Sequence, residues 1–194
     1  MIVMEIACII MASGWSTRFG ANKLLKKYHN KFIVQHIIEK ANSLKLKCIV
    51  VTRYEEIRLL CSELGVPCVM HNMQYQNDTI RLGLEALGPD YAGYMFCTGD
   101  QPLISEASLI KLAKNFQAEP QYIHRMAYKG QAGNPVIFPN SCYSQLCQLP
   151  QDQGGSFIIK QNKNQLRFTE AGSALELHDI DTINDLLELE QHNI

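Results

Sequence analysis

Residues 9–25 read IIMASGWSTRFGANKLL, an apolar run followed by a small-residue loop and a basic end. The apolar run extends from Met4 to Met11 and is rich in isoleucine, which predicts a buried strand of a parallel sheet. Small residues in the loop let the backbone approach a ligand closely and offer its N–H groups to phosphate oxygens. Arg18 and Lys23 add positive charge nearby. The stretch therefore predicts a polyphosphate-binding loop at the end of a buried strand.

Two common phosphate-binding loops do not fit this stretch. A Walker A loop has four residues between its glycines and then Lys-Ser/Thr, whereas five residues separate Gly14 from Gly20, and Ala21 follows. The dinucleotide fingerprint G-x-G-x-x-G is also absent from the chain. A plain strand-to-helix turn with solvated basic residues is the simple alternative. The coincidence of small, basic and glycine residues in one stretch argues against it.

Composition favours one soluble globular domain covering residues 1–194. The chain has 194 residues, 46% of them hydrophobic and 19% charged, which are ordinary values for such a domain. The formal net charge of −1 gives no broad basic field for a nucleic acid or an anionic membrane surface. The first apolar segment is too short for a membrane span and lacks the basic flank of a signal peptide. We therefore expect a cytoplasmic protein that binds neither nucleic acid nor membrane.

The cysteines and histidines do not form a recognisable metal motif. The seven cysteines include no C-x-x-C pair, and several lie in apolar runs such as KCIVV and YMFCT. An odd number of cysteines without metal-ligand spacing indicates reduced thiols, mostly in the core. The six histidines include no H-E-x-x-H motif, so a structural zinc site has little support.

Predicted strands and helices alternate through the first half of the chain. Strands are expected at 4–11, 45–52, 66–71 and 91–98, and helices at 32–44, 55–64 and from Asp78, as N-cap, to Gly88. This alternation predicts an α/β fold with a mostly parallel central sheet and helices on both faces. The loops at 12–23, 72–78 and 98–103 each follow a strand, so they should share the edge where ligands bind.

The second half of the chain is less regular. Helices are expected at 105–116, 141–149, 156–161 and 182–190, and strands at 121–128, 134–138, 166–169 and 175–178. A polar DQGG segment separates two of these helices, and no repeat or linker interrupts the chain. This half is therefore expected to form part of the same domain.

A second chemical motif, TGDQPL, occupies residues 98–103 directly after a predicted apolar strand. A carboxylate at the mouth of a buried strand, beside a phosphate loop, suits Mg²⁺, which takes few protein oxygens and completes its shell with water and phosphate. Pro102 would stiffen the turn. A lone G-D-x-P turn is usually structural, but its position about 80 residues after the basic loop favours Asp100 as a metal ligand.

Five segments follow one another along the chain: the loop at 9–25, TGDQPL at 98–103, GNPVIF at 133–138, DQGG at 152–155 and DIDT at 179–182. Together they resemble the molybdenum cofactor nucleotidyltransferases, most closely the cytidylyltransferase branch. The chain departs from the family pattern at Ser13, where Ala or Gly is usual, at Gln151, where Gly is usual, and at Ile183-Asn184, which replace Pro-Glu. The segment at 77–81, NDTIR, stands where the family has S-x-S-I/L-R/K.

The resemblance implies a Rossmann-like nucleotidyltransferase fold of the GT-A-like type, with an NTP-binding half (1–103) and an acceptor-binding half (104–194). It implies transfer of CMP from CTP to the phosphate of molybdopterin, with release of pyrophosphate, and a molybdenum hydroxylase as recipient of the product. It also implies Mg²⁺ as cofactor, held by Asp100 and Asp181. The catalytic residues would be Arg18, Lys23 and Asp100. The binding residues would be Ala12, Ser13, Gly14, Ser16, Thr17, Asp78, Thr79, Arg81, Gly99, Asn134 and Asp152.

Three alternatives stay open at this point. The nucleotide transferred to molybdopterin is GMP in the first, and the acceptor is a sugar phosphate or an alcohol phosphate in the second. In the third, the chain binds molybdenum cofactor as a non-catalytic chaperone. Ser13 favours CTP over GTP, because its volume is nearer to that of Ala, which precedes Gly14 in cytosine-specific relatives, than to that of a second Gly.

Overall fold

The computed structural model describes residues 5–15 and 22–191. A sheet of seven strands forms its centre. The strands are β1 (Ile6–Ala12), β4 (Lys47–Thr52), β5 (Cys68–Met70), β6 (Gly93–Thr98), β7 (Ile123–Tyr128), β8 (Gln131–Pro139) and β9 (Leu166–Glu170). Their spatial order is β5-β4-β1-β6-β8-β7-β9. β8 is antiparallel to both of its neighbours, while the other pairs are parallel. The prediction of a mostly parallel sheet is confirmed.

Helices cover both faces of this sheet, as predicted. The α-helices are α1 (Ile33–Ser43), α2 (Glu55–Glu63), α3 (Gln76–Leu87), α4 (Glu106–Ala118), α5 (Tyr143–Cys147), α6 (Gly155–Gln161) and α7 (Ile183–Gln191). A short hairpin of β2 (Lys27–Tyr28) and β3 (Lys31–Phe32) forms a separate two-stranded sheet. Its turn uses His29 and Asn30 at positive φ.

The central strand β1 is buried on both faces, because its side chains alternate between two apolar clusters. Cys8 and Ile10 pack with residues of α1, α2 and α4 on one face. Ala7 and Ile9 pack with residues of α3, α5 and α6 on the other. Complete burial of each isoleucine stabilises the fold by about 1.5–3 kcal/mol. The continuous apolar sequence of β1 is thus a consequence of its central position.

Two local predictions are wrong. The helix α3 begins at Gln76 with Tyr75 as its N-cap, so Asp78 lies in the first turn, where its Oδ2 accepts a hydrogen bond from the Tyr75 N–H at 3.4 Å. The segment 175–178 is not a strand, because residues 174–177 form a 3₁₀ helix. Its Glu176 carboxylate accepts hydrogen bonds from the backbone and hydroxyl of Ser105, so the segment supports the start of α4 instead of extending the sheet.

The cysteines match the expectation of free thiols. All seven are unpaired by disulfides, and five of them are buried: Cys8, Cys48, Cys61, Cys97 and Cys142. Within the described ranges, none of the helices has the length and apolar character needed to cross a membrane.

Candidate active site

The loops that follow β1, β5 and β6 meet at one edge of the sheet, as predicted. They line a cavity of about 300 Å³, which we call the first cavity. Its walls include Ser13 and Gly14 from the first loop, Gln74 from the second, and Asp100 from the third. The cavity lies at the carboxyl ends of parallel strands, where open α/β sheets bind ligands.

Lys23 lies between two carboxylates at this cavity. Its Nζ donates to Asp100 Oδ2 at 2.7 Å and to Asp181 Oδ1 at 2.8 Å. These residues are 77 and 158 positions from Lys23 in the sequence, so only the fold brings them together. The side chains of Lys23 and Asp100 are 11% and 20% exposed and that of Asp181 is 38% exposed, so the Lys23–Asp100 contact is the better shielded from bulk water. The predicted catalytic lysine and the two predicted metal ligands therefore form one cluster.

Local packing fixes both ends of the Lys23–Asp100 contact. Lys23 begins a 3₁₀ helix of residues 23–25 that is capped by Asn22, whose Oδ1 accepts from the Leu24 N–H at 3.1 Å. Leu24 is buried in the core beside it. A Cβ atom on Gly99 would lie 3.3 Å from the Met11 carbonyl oxygen, so a larger residue would require this loop to move away from β1 by a few tenths of an ångström.

Asp181 is positioned by the C-terminal segment. The Ile180 N–H donates to the Asp100 carbonyl oxygen at 3.0 Å, which ties this segment to the TGDQPL loop. Thr182 and Asp185 then form reciprocal hydrogen bonds at the start of α7, with distances of 3.2 and 2.7 Å. The departure from Pro-Glu at 183–184 leaves this capping intact, because neither residue takes part in it.

The charges of the cluster shift its pKa values. Burial alone would lower the pKa of Lys23, but Asp100 and Asp181 more than offset this effect and raise it. The pKa of Asp179 rises to about 6, because the surrounding protein displaces water from its carboxylate and because Asp100 and Asp181 add like charge. The pKa of Asp179 rises even though part of the residue is exposed to solvent. The cluster is therefore rich in negative charge and holds a firmly protonated lysine.

The donor set of this cluster fits Mg²⁺. Asp100 Oδ1 is buried and has no hydrogen-bond partner among the described residues, although the other oxygen of the same carboxylate contacts Lys23. The near oxygens of Asp100 and Asp181 already converge on one cation, the Lys23 ammonium. Across residues 5–15 and 22–191, no group of three or more His, Cys, Asp or Glu residues forms a metal site. The cluster thus offers two carboxylates, as suits an ion that keeps water and phosphate oxygens in its shell.

Ser13 faces the protein interior through its hydroxyl group. Its Oγ donates to the Val51 carbonyl oxygen at 3.0 Å and lies 2.7 Å from His71 Nε2. Because His71 Nδ1 accepts from the Met73 N–H at 3.1 Å, the proton of a neutral imidazole lies on Nε2, which donates to Ser13. Burial lowers the pKa of His71 and favours this neutral form. His71 thus joins the loop after β1 to the loop after β5.

A second link between these loops uses Arg53, which follows β4. Its Nε donates to the Ser13 carbonyl oxygen at 2.8 Å and its Nη2 to the Met73 carbonyl oxygen at 2.5 Å. The guanidinium carbon also lies 3.6 Å from the centre of the Trp15 ring. Trp15 Nε1 donates to the Gln74 carbonyl oxygen at 3.3 Å. These contacts hold the two loops in a fixed relation at the mouth of the first cavity.

Sequence reasoning missed Arg53, His71 and Trp15. Arg53 and His71 belong to no spaced motif, and Trp15 stands at a variable position of the loop at 9–25. Their contacts, with backbone atoms, a serine and each other, join loops that are distant in the sequence. The one available signal was that Arg53 follows a predicted strand, and His71 ends another, at the edge where ligands are expected to bind.

The other predicted binding residues fall into different places. Ser16, Thr17 and Arg18 lie outside the described residues. Thr79 lines the first cavity, and Ala12 ends β1 with its carbonyl oxygen bonded to Thr52 Oγ1 at 2.8 Å. Asp78 and Arg81 pair with each other on α3 at 3.6 Å, and neither is part of the cavity wall. Asp152 adopts positive φ on an exposed turn near Asn77.

Asn134 belongs to a neighbouring space, which we call the second cavity. This cavity has a volume of about 200 Å³ and also contacts Arg125, Gly154, Gly155 and Ser156. The two cavities adjoin, since Met11, Gln76 and Thr98 contribute to both walls. The arrangement places two ligand spaces side by side along the carboxyl ends of β1 and β6.

Comparisons with known proteins give a family match over most of the chain. A model of the MobA-like NTP transferase domain matches residues 8–166. The bifunctional protein GlmU of Buchnera aphidicola is 30% identical over 121 residues, covering 59% of this chain and 26% of that protein. A 3-deoxy-manno-octulosonate cytidylyltransferase of Trichlorobacter lovleyi is 31% identical over 119 residues, covering 60% and 47%. A probable molybdenum cofactor guanylyltransferase of Aquifex aeolicus is 26% identical over 110 residues, covering 57% and 53%.

The matched segments span between a quarter and about half of the length of these curated relatives. Solved structures match the whole fold. Rv0371c from Mycobacterium tuberculosis H37Rv has a TM-score of 0.86 at 21% identity, covering 96% of this chain and 98% of that one. Its complex with manganese has a TM-score of 0.80 at 20% identity, with 96% and 98% covered. A synthetase of CMP-2-keto-3-deoxy-manno-octonic acid, solved with CTP, has a TM-score of 0.77 at 14% identity, with 98% and 100% covered.

Proposed function

Because the chain belongs to the MobA-like NTP transferase domain family, we propose that it transfers CMP from CTP to the phosphate of molybdopterin and releases pyrophosphate. One observation carries the proposal. The fold gathers Lys23, Asp100 and Asp181 from three distant parts of the sequence beside two adjoining cavities. A donor nucleotide in the first cavity and an acceptor in the second would meet next to this charged cluster.

The transfer is a displacement at the α-phosphorus of the nucleotide. An acceptor phosphate oxygen forms the new P–O bond, the bond from the α-phosphorus to the bridging oxygen breaks, and pyrophosphate leaves with that electron pair. The attacking oxygen is anionic at neutral pH, so no general base is needed to remove a proton. Catalysis then depends on positioning and on stabilising the charge that develops on the leaving group.

The residues of the cluster suit these tasks. Lys23 is held protonated by Asp100 and Asp181 and would exchange part of this contact for an α-phosphate oxygen. We propose that backbone N–H groups of the loop at 13–17 bind the β- and γ-phosphates and that Arg18 stabilises the departing pyrophosphate. The two loops that contain Ser13 and Met73 are connected by His71 and Arg53, and they would form the part of the cavity wall that contacts the base.

Asp100 and Asp181 would hold Mg²⁺, which when bound neutralises charge on the phosphate oxygens. The unpartnered buried Oδ1 of Asp100 supports this role. Lys23 would then no longer be needed to screen Asp100 and Asp181 from each other, and its ammonium group would be available for the nucleotide. A related fold, that of Rv0371c, is known in complex with manganese.

A second candidate acceptor is a sugar acid. It is favoured by the 31% identity to a protein named as a 3-deoxy-manno-octulosonate cytidylyltransferase, a name that also indicates a cytidine nucleotide. GMP transfer to molybdopterin is the corresponding alternative for the nucleotide, favoured by the relative named as a probable molybdenum cofactor guanylyltransferase.

Incubation with each of the four NTPs, Mg²⁺ and either molybdopterin or 3-deoxy-manno-octulosonate tests the proposal, with pyrophosphate release and the mass of the product as readouts. We expect a product heavier than molybdopterin by one cytidylyl group. A guanylyl product would show that the nucleotide is GTP and not CTP. Product formed only with 3-deoxy-manno-octulosonate would show that the acceptor is this sugar acid and not molybdopterin. Absence of pyrophosphate with every combination of NTP and acceptor would indicate a non-catalytic binding protein.

A further inference from the structure

Arg125 lies on β7, in the half of the chain that no catalytic prediction covered. We propose that Arg125 binds an anionic group of the acceptor in the second cavity, either a phosphate or a carboxylate. The identity of the ligand as the acceptor depends on the transfer proposed above, whereas the physical reason for an anion beside Arg125 does not. It rests on an arginine that the fold half-buries without giving it an acidic partner.

The contacts of Arg125 leave most of its guanidinium available. Its Nε donates to the Gly133 carbonyl oxygen at 2.9 Å, which fixes the side chain on the sheet. No acidic group among the described residues lies within ion-pair distance, and its terminal Nη atoms have no hydrogen-bond acceptor there. The neighbouring Arg167 on β9, in contrast, pairs with Glu119 at 3.6 Å and stacks on Tyr122 at 3.5 Å.

A half-buried charge without a counter-ion is costly to the fold. Burial lowers the pKa of Arg125, and no nearby carboxylate acts against this shift. The guanidinium nevertheless stays charged at physiological pH, because the ordinary pKa of an arginine side chain lies far above neutrality. An anionic ligand would offset the lost hydration, and the planar guanidinium suits two parallel hydrogen bonds to a phosphate or a carboxylate.

The cavity around Arg125 has a mixed wall that fits an organic acceptor. Apolar side chains, among them Phe96, Val136 and Phe138, form one part of it. Polar groups from Thr98, Asn134 and Ser156 form another part. With a volume of about 200 Å³, the space suits a small ring system or a sugar that carries one anionic group.

Two glycines allow this wall to close. A Cβ on Gly154 would collide with the side-chain oxygen of Gln76, and a Cβ on Gly155 would lie 2.9 Å from Phe138 Cζ. The Gln76 side chain facing Gly154 could rotate away, but Phe138 is a buried ring, so helix α6 begins this close to β8 because residue 155 is glycine. Gly155 thus has a packing role that shapes the second cavity.

Equilibrium binding in the absence of any NTP tests the inference, using molybdopterin, 3-deoxy-manno-octulosonate and inorganic phosphate as probes. The variants are Arg125→Gln and Arg125→Lys, with Arg167→Gln as matched control on the adjacent strand. We expect Arg125→Gln to weaken binding of molybdopterin or of the sugar acid at least tenfold, Arg125→Lys to weaken it less, and Arg167→Gln to leave it unchanged. Affinity for CTP should change less than twofold in all three variants.

Comparison of the two organic probes identifies the anion. A loss confined to molybdopterin assigns Arg125 to a phosphate, and a loss confined to the sugar acid assigns it to a carboxylate. Equal affinities of wild type and Arg125→Gln for every probe, including no binding by either, would overturn the inference. An equal loss of CTP affinity in a variant with unchanged thermal unfolding would also overturn it. A protein that binds an acceptor through Arg125 but releases no pyrophosphate would remove the proposed transfer and leave this inference standing.

Discussion

The two cavities differ in how their charged side chains are satisfied. In the first cavity, Lys23 is paired with Asp100 and Asp181, and Arg53 is bonded to two loop carbonyl oxygens. In the second cavity, Arg125 has a single backbone partner and no described carboxylate near it. The first cavity is therefore organised by contacts within the protein, whereas the second leaves one charge for a ligand to satisfy.

From this difference we infer that the first cavity positions the reacting groups and that the second recognises a substrate. Charges that stabilise a transition state act best when they are already fixed, because no energy is then spent on moving them during the reaction. A charge that selects a substrate gains most when the substrate itself supplies the counter-ion. The following predictions test whether the first cavity performs the chemistry and how rigidly its loops are held.

The largest effect is expected for Asp100→Asn. This change removes one of the two carboxylates from the cluster while keeping its volume, so turnover should fall by roughly 10²–10³-fold or more. Initial rates of pyrophosphate release at saturating CTP measure it. The exposed Asp90 provides the control, and Asp90→Asn should keep the wild-type rate. A wild-type rate for Asp100→Asn at limiting Mg²⁺ would show that the first cavity is not the metal-dependent centre.

A somewhat smaller effect is expected for Lys23→Ala. The variant loses a charge-assisted contact to phosphate that strengthens in the transition state, so kcat/KM should fall by about 100-fold. Lys26→Ala is the matched control, because Lys26 is exposed and lies outside the cluster. Equal losses of kcat/KM in Lys23→Ala and Lys26→Ala would indicate a diffuse basic surface. The paired charges of the first cavity would then have no special role in catalysis.

The sequence predicted the core of the fold because the strong signals were local. The buried strand β1, the glycine loop after it and the TGDQPL turn each combine composition with position, and the alternation of strands and helices sets the order. Lys23, Asp100 and Asp181 were named because short motifs contain them. Their meeting at one point, at 2.7 and 2.8 Å, required the fold.

Other features depended on long-range packing that no local pattern encodes. The segment 175–178 has a strand-like sequence, but Glu176 binds Ser105 and directs it into a 3₁₀ helix. Arg125 lies in a strand that was predicted, yet its lack of an acidic partner is a property of its surroundings. Arg81, a binding residue implied by the resemblance, forms local ion pairs with Asp78 and Glu85 along α3, and its part in ligand binding stays a prediction.

A moderate effect is expected for His71→Gln, which tests the link between the loops. Losing a buried hydrogen bond of about 1 kcal/mol should raise the KM for CTP about fivefold and change kcat less. The exposed His29 supplies the control variant His29→Asn. Unchanged KM for CTP in His71→Gln would show that the loops keep their arrangement without this residue.

The same variant should alter the response of stability to acid. Burial first, and then the positive charges of Arg53 and Arg81, lower the pKa of His71, while Asp78 acts in the opposite direction. The unfolded chain therefore takes up this proton first, so the contribution is full above about pH 6.5 and is lost as pH falls toward the folded pKa. His36 and His124 share this behaviour. Thermal unfolding from pH 7.5 to 5 should thus show a weaker acid destabilisation in His71→Gln than in wild type, and an identical slope would contradict the buried neutral imidazole.

The smallest effect is expected at Ser13, where two variants separate size from hydrogen bonding. Ser13→Ala keeps the Cβ and removes the hydroxyl that contacts His71 and Val51, whereas Ser13→Gly removes both. If the Cβ narrows the space for the base, only Ser13→Gly should shift the ratio of kcat/KM toward GTP, by about fivefold or less, which is the lower end of the roughly 1–3 kcal/mol that exclusion by size is worth. If the tie to His71 sets the base wall, both variants should shift this ratio, and His71→Gln should shift it in the same direction. A wild-type protein that already uses GTP better than CTP would contradict the cytidylyl assignment. The contrast between the paired Lys23 of the first cavity and Arg125 of the second, which has no described acidic partner, would remain compatible with a nucleotidyltransferase.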